Sequence, residues 1–537
     1  MIHRNALRVV LCVLGVIVSG RLLSAEYYVA ASGDDTASGT SPGTAWRSVD
    51  RVNAASFKPG DRISFRAGQE FRGNLRLGPA SVGQATAPVV ITSFGSGRAI
   101  LLAGHDTGIT LESVGFVTIS NLAVLGDGPT NNTGYGILCD NRLDEFRRLE
   151  NLHIENVEAS GFGVFGILIS GKRAGYAHVR VIGCDLHDNL RGGMEIAGRL
   201  PWDSPLYAHS DVVVRRCRAH DNSGDPNYDR NHSGSGMVVY QVDGGVIEDC
   251  RAWANGQQCH HGNGGVGIWS CASRGVVIQH CESFANRTSG GDGGGFDLDG
   301  GSIDCVLQYN YSHDNDGPGL MAYTYAYASY ADRGNIIRFN ISDQDSRKGE
   351  RYAGLWVRCD GNGMTGLRVY NNTVRMGRGG KQAAYVSGKG VEAEFRNNIF
   401  AGGDEALPLV VEQSEDKLRF LNNLYWNGGA PLRIKWDNQD HSTLEGWRRA
   451  TGQEMAEGKS LGVFADPEFA FASVMAPAND DDWRARLAAY TPLRSGIQRL
   501  SAVPAVVRSV MPEAAVDILG CVLKAERWPL GAIASGS

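Results

Sequence analysis

After its first 25 residues the chain has no long apolar run, and nowhere does it carry an excess of positive charge or a Cys-x-x-Cys pair. The first absence excludes a later membrane span, which needs about 20 apolar residues. The second argues against nucleic acid as a partner: 52 Lys and Arg stand against 58 Asp and Glu, for a net charge of −6. The third removes the usual spacing of a zinc site. What is abundant is glycine, 71 of 537 residues. With many Asn and few apolar stretches, it favours tight turns and short strands over helices.

The opening residues read as an export signal. Arg4 and Arg8 supply the positive start, Val9 to Val18 the apolar stretch, and Ser24-Ala25 a small-residue cleavage site. The mature chain is expected to begin near Glu26 and to be secreted or periplasmic, with no membrane attachment after cleavage. It is also expected to act as a monomer.

A column of Cys and Asn then returns about every thirty residues, each time just after a Val/Ile-rich run: Cys184, Cys217, Cys250, Cys281, Asn310, Asn340, Asn372, Asn398, Asn423. Its phrases nearly repeat: GCDLHDN, RCRAHDN, DCRAWAN, HCESFAN, YNYSHDN. Self-similarity at a fixed period means stacked coils, which grow by repetition rather than by adding domains. A small or amide side chain at one turn of every coil suits an all-β, single-stranded parallel β-helix. There, equivalent side chains lie about 4.8 Å apart and Asn amides can hydrogen-bond up the stack. The four Cys of the column read as buried thiols filling a ladder position. Cys259 and Cys271 flank a Gly-rich loop and are candidates for a disulfide.

Residues 26–104 look like an N-terminal cap and first coils, with a short helix near Ser48–Ala54 covering the open end of the stack. Residues 105–430 carry the coils. Residues 431–537 read as a closing cap, with a helix in HSTLEGWRRATGQEMAEG opened by Ser442 or Thr443. ADPEFAF and DILGCVLKAERWPLGAI read as closing strands. The entry module, the HDN repeats and GGGFDLDGGSIDCVLQYNYSHDNDGPG (293–319) together resemble the secreted bacterial right-handed parallel β-helix proteins of the pectate-lyase-like superfamily. That resemblance implies a polysaccharide lyase or a glycoside hydrolase.

Aligned on the column, the second strand of successive coils reads GILIS, GMEIA, GMVVY, GIWSC, GFDLD, GLMAY, GLWVR. Side chains alternate along a strand. The first and third residues after Gly are nearly all apolar and predict the core face. The opposite face then carries Glu195, Tyr240, Trp269, Asp297, Asp299, Tyr323, Trp356 and Arg358. Aromatic faces around two aspartates are what a sugar-binding groove needs. Asp297 is an outward Asp with no turn to make, and its equivalents Val238, Trp269, Met321 and Trp356 are not acidic. Asp314 and His313, by contrast, lie within a recurring HDN and read as turn formers.

Two chemistries fit this face. In a glycoside hydrolase, Asp297 and Asp299, about 6.6 Å apart at Cα, would join Asp316 as the catalytic carboxylates. This arrangement is similar to that of polygalacturonase-type β-helix hydrolases, although there is no Asp-Asp doublet and His260-His261 lie a coil before the pair rather than after. No cofactor is then needed. His260, His261, Trp269, Asp292, Tyr323, Lys348, Arg351, Trp356 and Arg358 would bind the polysaccharide or oligosaccharide. In a uronate lyase, Asp292, Asp297, Asp299 and Asp316 would hold Ca²⁺, with Lys348 or Arg351 as base. A non-catalytic glycan-binding protein is the third reading. The surplus of Asp favours the hydrolase.

Overall fold

The computed structural model describes residues 24–469, apart from 202, 203, 261, 263, 329, 349–351, 378, 404 and 414–416, together with Leu487. The segment expected to be an export signal, up to residue 23, and the segment 517–533 lie outside the described residues. Among these, no helix is long and apolar enough to cross a membrane.

The chain winds through three parallel sheets of 15, 14 and 14 strands, visiting each once per coil. The first sheet takes the Val/Ile runs, such as Tyr176–Ile182 and His209–Arg215. The second takes three-residue strands such as Asp185–His187 and Arg218–His220. The third takes the strands introduced by Gly. Two strands per coil are legible in the sequence. Second-sheet strands of three residues are too short to show a period, and their burial varies from the central residue alone to all three.

The column occupies the turn between the first and second sheets. The residue before each entry sits in the left-handed region, for example Gly183 (φ 62°), Asp249 (φ 55°) and Asn371 (φ 56°). From Asn310 onward the column is a hydrogen-bonded ladder. Each amide Nδ2 donates to the next Asn Oδ1 at 3.0 Å, through Asn340, Asn372, Asn398 and Asn423. The buried Glu454 ends it, accepting from Asn423 Nδ2 at 2.8 Å. Where Cys stands instead, the thiols donate to backbone carbonyls, as Cys281 does to Gln279 at 3.2 Å.

A second ladder runs beside it. It joins Asn189, Asn222, Asn255, Asn286, Asn315 and Asp345, the last residues of the HDN-type phrases and their counterpart on the next coil. Asp314 (φ 56°) occupies the turn just before its Asn, as Asp188 and Asp221 do. The outer side chains of the second sheet stack in turn: His187, His220, Trp253, Phe284 and His313, with centroids 4.2–5.8 Å apart.

Both ends are covered. Helix α1 (Val49–Asn53) is capped by Ser48, whose hydroxyl accepts from Arg51 N. Helix α2 (Leu444–Thr451) is capped by Thr443 and ends at Gly452 in the left-handed region. It inserts the fully buried Trp447 against Phe420, Tyr425 and Trp436, closing the last coil. Of the two closing strands expected, ADPEFAF is described only through Phe469, and the last strand of the second sheet is Val463–Phe464, just before it. None of the nine described cysteines forms a disulfide, so the pairing expected of Cys259 and Cys271 is not made. Cys271 instead meets the Tyr325 hydroxyl at 2.9 Å.

Candidate functional site

The third sheet builds the site. Its relevant strands are β1 (Phe165–Gly171), β2 (Gly192–Gly198), β3 (Ser235–Tyr240), β4 (Ile268–Cys271), β5 (Phe296–Asp299), β6 (Leu320–Thr324) and β7 (Leu355–Cys359). Met237, Val239, Phe296, Leu298, Leu355 and Val357 point inward and are buried in the core. Outward, one register row runs Leu168, Glu195, Val238, Trp269, Asp297, Met321, Trp356. A second row includes Tyr240 beside Cys271, then Asp299, Tyr323 and Arg358.

The long loops on either side of the third sheet rise over this outward face and leave a partly open cavity of about 350 Å³. Its walls include Glu195, His232, Tyr240, Trp269, Cys271, Asp292, Asp297, Asp299, Tyr323, Tyr325 and Tyr327. A larger hollow of about 640 Å³ lies past Arg375, Trp426 and Phe469, but its carboxylates, Glu405 and Asp466, are both exposed.

Three aspartates face the cavity. Asp297 and Asp299 each have a buried Oδ1 without a hydrogen-bond partner. Burial raises the pKa of Asp297, and the charges of Asp299, Asp292 and Asp332 raise it further. Burial also raises Asp299, while the Gly300 N–H and the Cys271 thiol act the other way. Asp292 is pushed up to about 7 by burial, although Gly264 N donates to its Oδ2 at 3.1 Å. Its backbone N–H donates to the Tyr352 hydroxyl at 2.7 Å.

At the far end of the cavity, burial raises Glu195 to about 7 and lowers His232 to about 4. Their side chains approach to 3.5 Å. Ser235 Oγ ties this end together, 3.4 Å from His232 Nδ1 and accepting from Trp269 Nε1 at 3.1 Å.

The structure sorts the residues expected from sequence. Asp292, Asp297, Asp299, Trp269 and Tyr323 meet in the cavity. Asp316 does not: it lines a separate surface hollow beside Thr288. Its Oδ2 accepts from Thr288 N at 3.2 Å, and its carboxylate pairs with Arg287 at 3.4 Å and Lys348 at 3.9 Å. Coil counting places Asp316 one coil from the pair, but it sits on the loop before β6 rather than on the third sheet. Lys348 is held there with it. Trp356 is buried one strand beyond, stacked on Tyr323 at 5.7 Å, and Arg358 is paired with Asp360 at 2.6 Å. His260 is exposed and absent from the cavity wall, while His261 and Arg351 lie outside the described residues. The proposed Ca²⁺ set is therefore split, and among the described residues no group of three or more His, Cys, Asp or Glu is arranged to hold a metal ion.

Sequence reasoning put Glu195 and Tyr240 on this face but gave them no role, left the stretch 323–330 with Tyr325 and Tyr327 open between a groove wall and a packed loop, and missed His232 and Asp332. Asp332 sits behind the pair, accepting from Gly301 N at 2.6 Å and Ser302 N at 3.0 Å. No local pattern marks these residues, because loops of unequal length bring them over the sheet.

A family model for the right-handed beta helix region matches residues 104–340. The chain is a right-handed parallel β-helix. The β-helix is similar to a lacto-N-biosidase of Bifidobacterium longum subsp. longum, with 23% identity over 70% of this chain and 28% of that protein. It thus spans little more than a quarter of that relative's length. Among solved structures it is similar to the GH136 lacto-N-biosidase from Eubacterium ramulus (17% identity, 69% of this chain and 68% of that one, TM-score 0.48). It is also similar to the pectate lyase Pel9A (16% identity, 96% and 97%, TM-score 0.39).

Proposed function

We propose that this protein is a carbohydrate-active enzyme, a glycoside hydrolase that cleaves an oligosaccharide or polysaccharide at the Asp292–Asp297–Asp299 cluster. The observation that carries this reading is the pair of buried carboxyl oxygens, on Asp297 and Asp299, that lack protein partners and face an aromatic-walled cavity. An unpaired buried carboxyl is costly, and a site of this kind is where such a cost serves chemistry. The lacto-N-biosidase relative supports the same reaction class.

The roles follow from the environments. Asp297 lies between Trp269 and Met321 in its row, with no donor on either side, and keeps its proton. Asp299 has Tyr323 opposite it and the Cys271 thiol near, and burial with the charges of Asp292 and Asp332 still raises its pKa well above the usual carboxylate range. Asp292, pushed up to about 7, is the group whose proton exchange lies nearest a working pH. A protonated carboxyl of the cluster would protonate the glycosidic oxygen while an ionised one acts at the anomeric carbon, directly or through a water. The flat faces of Trp269 and the tyrosines would hold the sugar rings.

The lyase reading is weaker. β-Elimination requires a cation facing the uronate carboxylate, and among the described cavity-lining residues there is no Lys or Arg. The test is a glycan panel assayed both for new reducing ends and for the ultraviolet absorbance of an unsaturated product. The hydrolase reading expects reducing ends alone, a change of activity centred near pH 7 as Asp292 titrates, and loss of turnover in D299N. It also expects that transition near pH 7 to be absent in D292N. Full turnover by D299N, or an unsaturated product, would overturn it.

A further inference from the structure

The end of the cavity farthest from the aspartates carries a carboxyl and an imidazole that the mechanism above does not use. Glu195 shares the outward row with Asp297 but stands three strands away, about 14 Å along the stack. The two carboxyls of a glycosidase act across at most about 9.5 Å, so Glu195 cannot work on the same bond as Asp297. Its surroundings fix the proton on the neighbouring ring. Ser235 Oγ accepts from Trp269 Nε1 at 3.1 Å and from Val266 N at 3.4 Å, which occupies both lone pairs of the hydroxyl. The hydroxyl proton then goes to His232 Nδ1, 3.4 Å away. His232 therefore accepts at Nδ1 and carries its own proton on Nε2, and burial keeps the ring neutral. Nε2 faces Glu195 Oε2 at 3.5 Å, and both side chains are largely buried. Among the described residues, His232 is the one basic group within ion-pair distance of the Glu195 carboxyl. The contact is longer than an ordinary hydrogen bond, so the N–H and the carboxyl are both free to engage a third group.

From this geometry, and resting on the cleavage site given above, we infer that Glu195 and His232 form a specificity-determining site for one hydroxyl of a sugar ring distal to the ring under attack. A sugar hydroxyl is both donor and acceptor. Its oxygen can sit about 2.8 Å from His232 Nε2 and from a Glu195 oxygen at once, accepting from the N–H and donating to the carboxyl. The 3.5 Å gap between the two groups is the base of that triangle. The hydroxyl site is also built into the stacking face. Trp269 stands between Glu195 and Asp297 in the row, its ring meets His232 edge-on at 4.7 Å, and Ser235 bonds to both. The flanking residues of the row, Leu168 and Val238, are apolar and supply no substitute partner. A sugar that lacks this hydroxyl, or carries it with the opposite configuration, leaves two buried polar groups unmatched, which is how such a site rejects an analogue.

The test separates binding from cleavage. Full-length D299N protein is titrated with the neutral oligosaccharide that it binds best on a glycan array, and with each monodeoxy analogue of that oligosaccharide. Adding E195A or H232F is expected to weaken binding of the parent oligosaccharide by about tenfold to a hundredfold. One analogue should lose as much against the unaltered pair and lose nothing further in E195A or H232F, a coincidence that a loss of packing alone does not produce. E195Q, whose amide oxygen still accepts, should recover part of the loss and serves if E195A does not fold. Losses that add for every analogue, unchanged binding in E195A and H232F, or an array with no oligosaccharide bound would each overturn the inference. If one analogue behaves as expected but the wild type cleaves no glycan, the hydroxyl site stands and the proposed reaction falls. If the wild type cleaves a glycan and the losses add, the reaction stands and the hydroxyl site falls.

Discussion

Asn340→Ala should cost this protein about 3–5 kcal/mol, far more than Cys281→Ala in the same column. The Asn340 side chain makes four buried hydrogen bonds. Its Oδ1 accepts from Asn310 N and Asn310 Nδ2, both at 3.0 Å. Its Nδ2 donates to Asn372 Oδ1 at 3.0 Å and to the Leu307 carbonyl at 2.9 Å. Alanine strands two donors on Asn310. It also deprives the Leu307 carbonyl, whereas Asn372 Oδ1 keeps the Asn340 backbone N–H. An orphaned buried polar group costs about 1–3 kcal/mol, so two donors alone cost about 2–6 kcal/mol, and the expected loss sits in the middle of that span. The Cys281 thiol makes only weak contacts, to the carbonyls of Gln279 and Ile247 at 3.2 and 3.7 Å. Its loss should cost about 1 kcal/mol. Urea unfolding of both variants beside wild type, with the slope of free energy against urea unchanged, reads the difference directly. If Asn340→Ala fell within 1 kcal/mol of Cys281→Ala, the ladder would be an alignment without energetic weight.

Two further outcomes follow from the site and its support. Trp269→Ala should raise KM by about tenfold or more with a smaller change in kcat, and Trp269→Phe should restore most of the binding, because the ring face rather than the Nε1–H bond to Ser235 serves the sugar; equal loss in both variants, read by steady-state kinetics, would tie the effect to Ser235 instead. Burial alone would lower the pKa of His313, but its hydrogen bonds to Asp314 (2.9 Å) and Glu282 (3.3 Å) raise it to about 9. A histidine raised in the fold contributes stability that is complete below about pH 6.5 and is lost as pH rises through 9. The stability gap between wild type and His313→Gln should therefore close across that window, and a gap constant from pH 6 to 9.5 in thermal unfolding would refute the pairing.

The coil period was readable because it is enforced by atoms that must repeat. A ladder amide works only if the next coil presents its own amide about 4.8 Å away, so Asn310, Asn340 and Asn372 must recur in register. The same register carried over to the third sheet, and the equivalence of Asp297 with Trp269, Met321 and Trp356 follows from it. Nothing enforces the loops in this way. The segment before β6 is short and keeps Asp316 at the sheet's margin, where Arg287 and Lys348 neutralise it. The segment before β3 is long and delivers His232 over Glu195. Counting coils gives distance along the stack but not position around it, and Asp316 lies on the wrong side of that second coordinate.

That division explains why the scaffold and the chemistry can coexist in one repeat. The inward rows and the turn columns carry the stacking from coil to coil, so they leave the outward row of the third sheet without a structural duty. There, a change from Trp269 to Asp297 to Met321 leaves the core packing of Ile268, Phe296 and Leu320 undisturbed, since alternate side chains point the other way. Burial of the carboxyls comes instead from Tyr325, Tyr327 and the overlying loops, which the coils do not need for stacking. Substitutions in those loops should therefore change how Asp292, Asp297 and Asp299 hold their protons with little change in the stability of the coils. Substitutions in the ladders should do the reverse, because solenoid coils draw their stability from nearest neighbours.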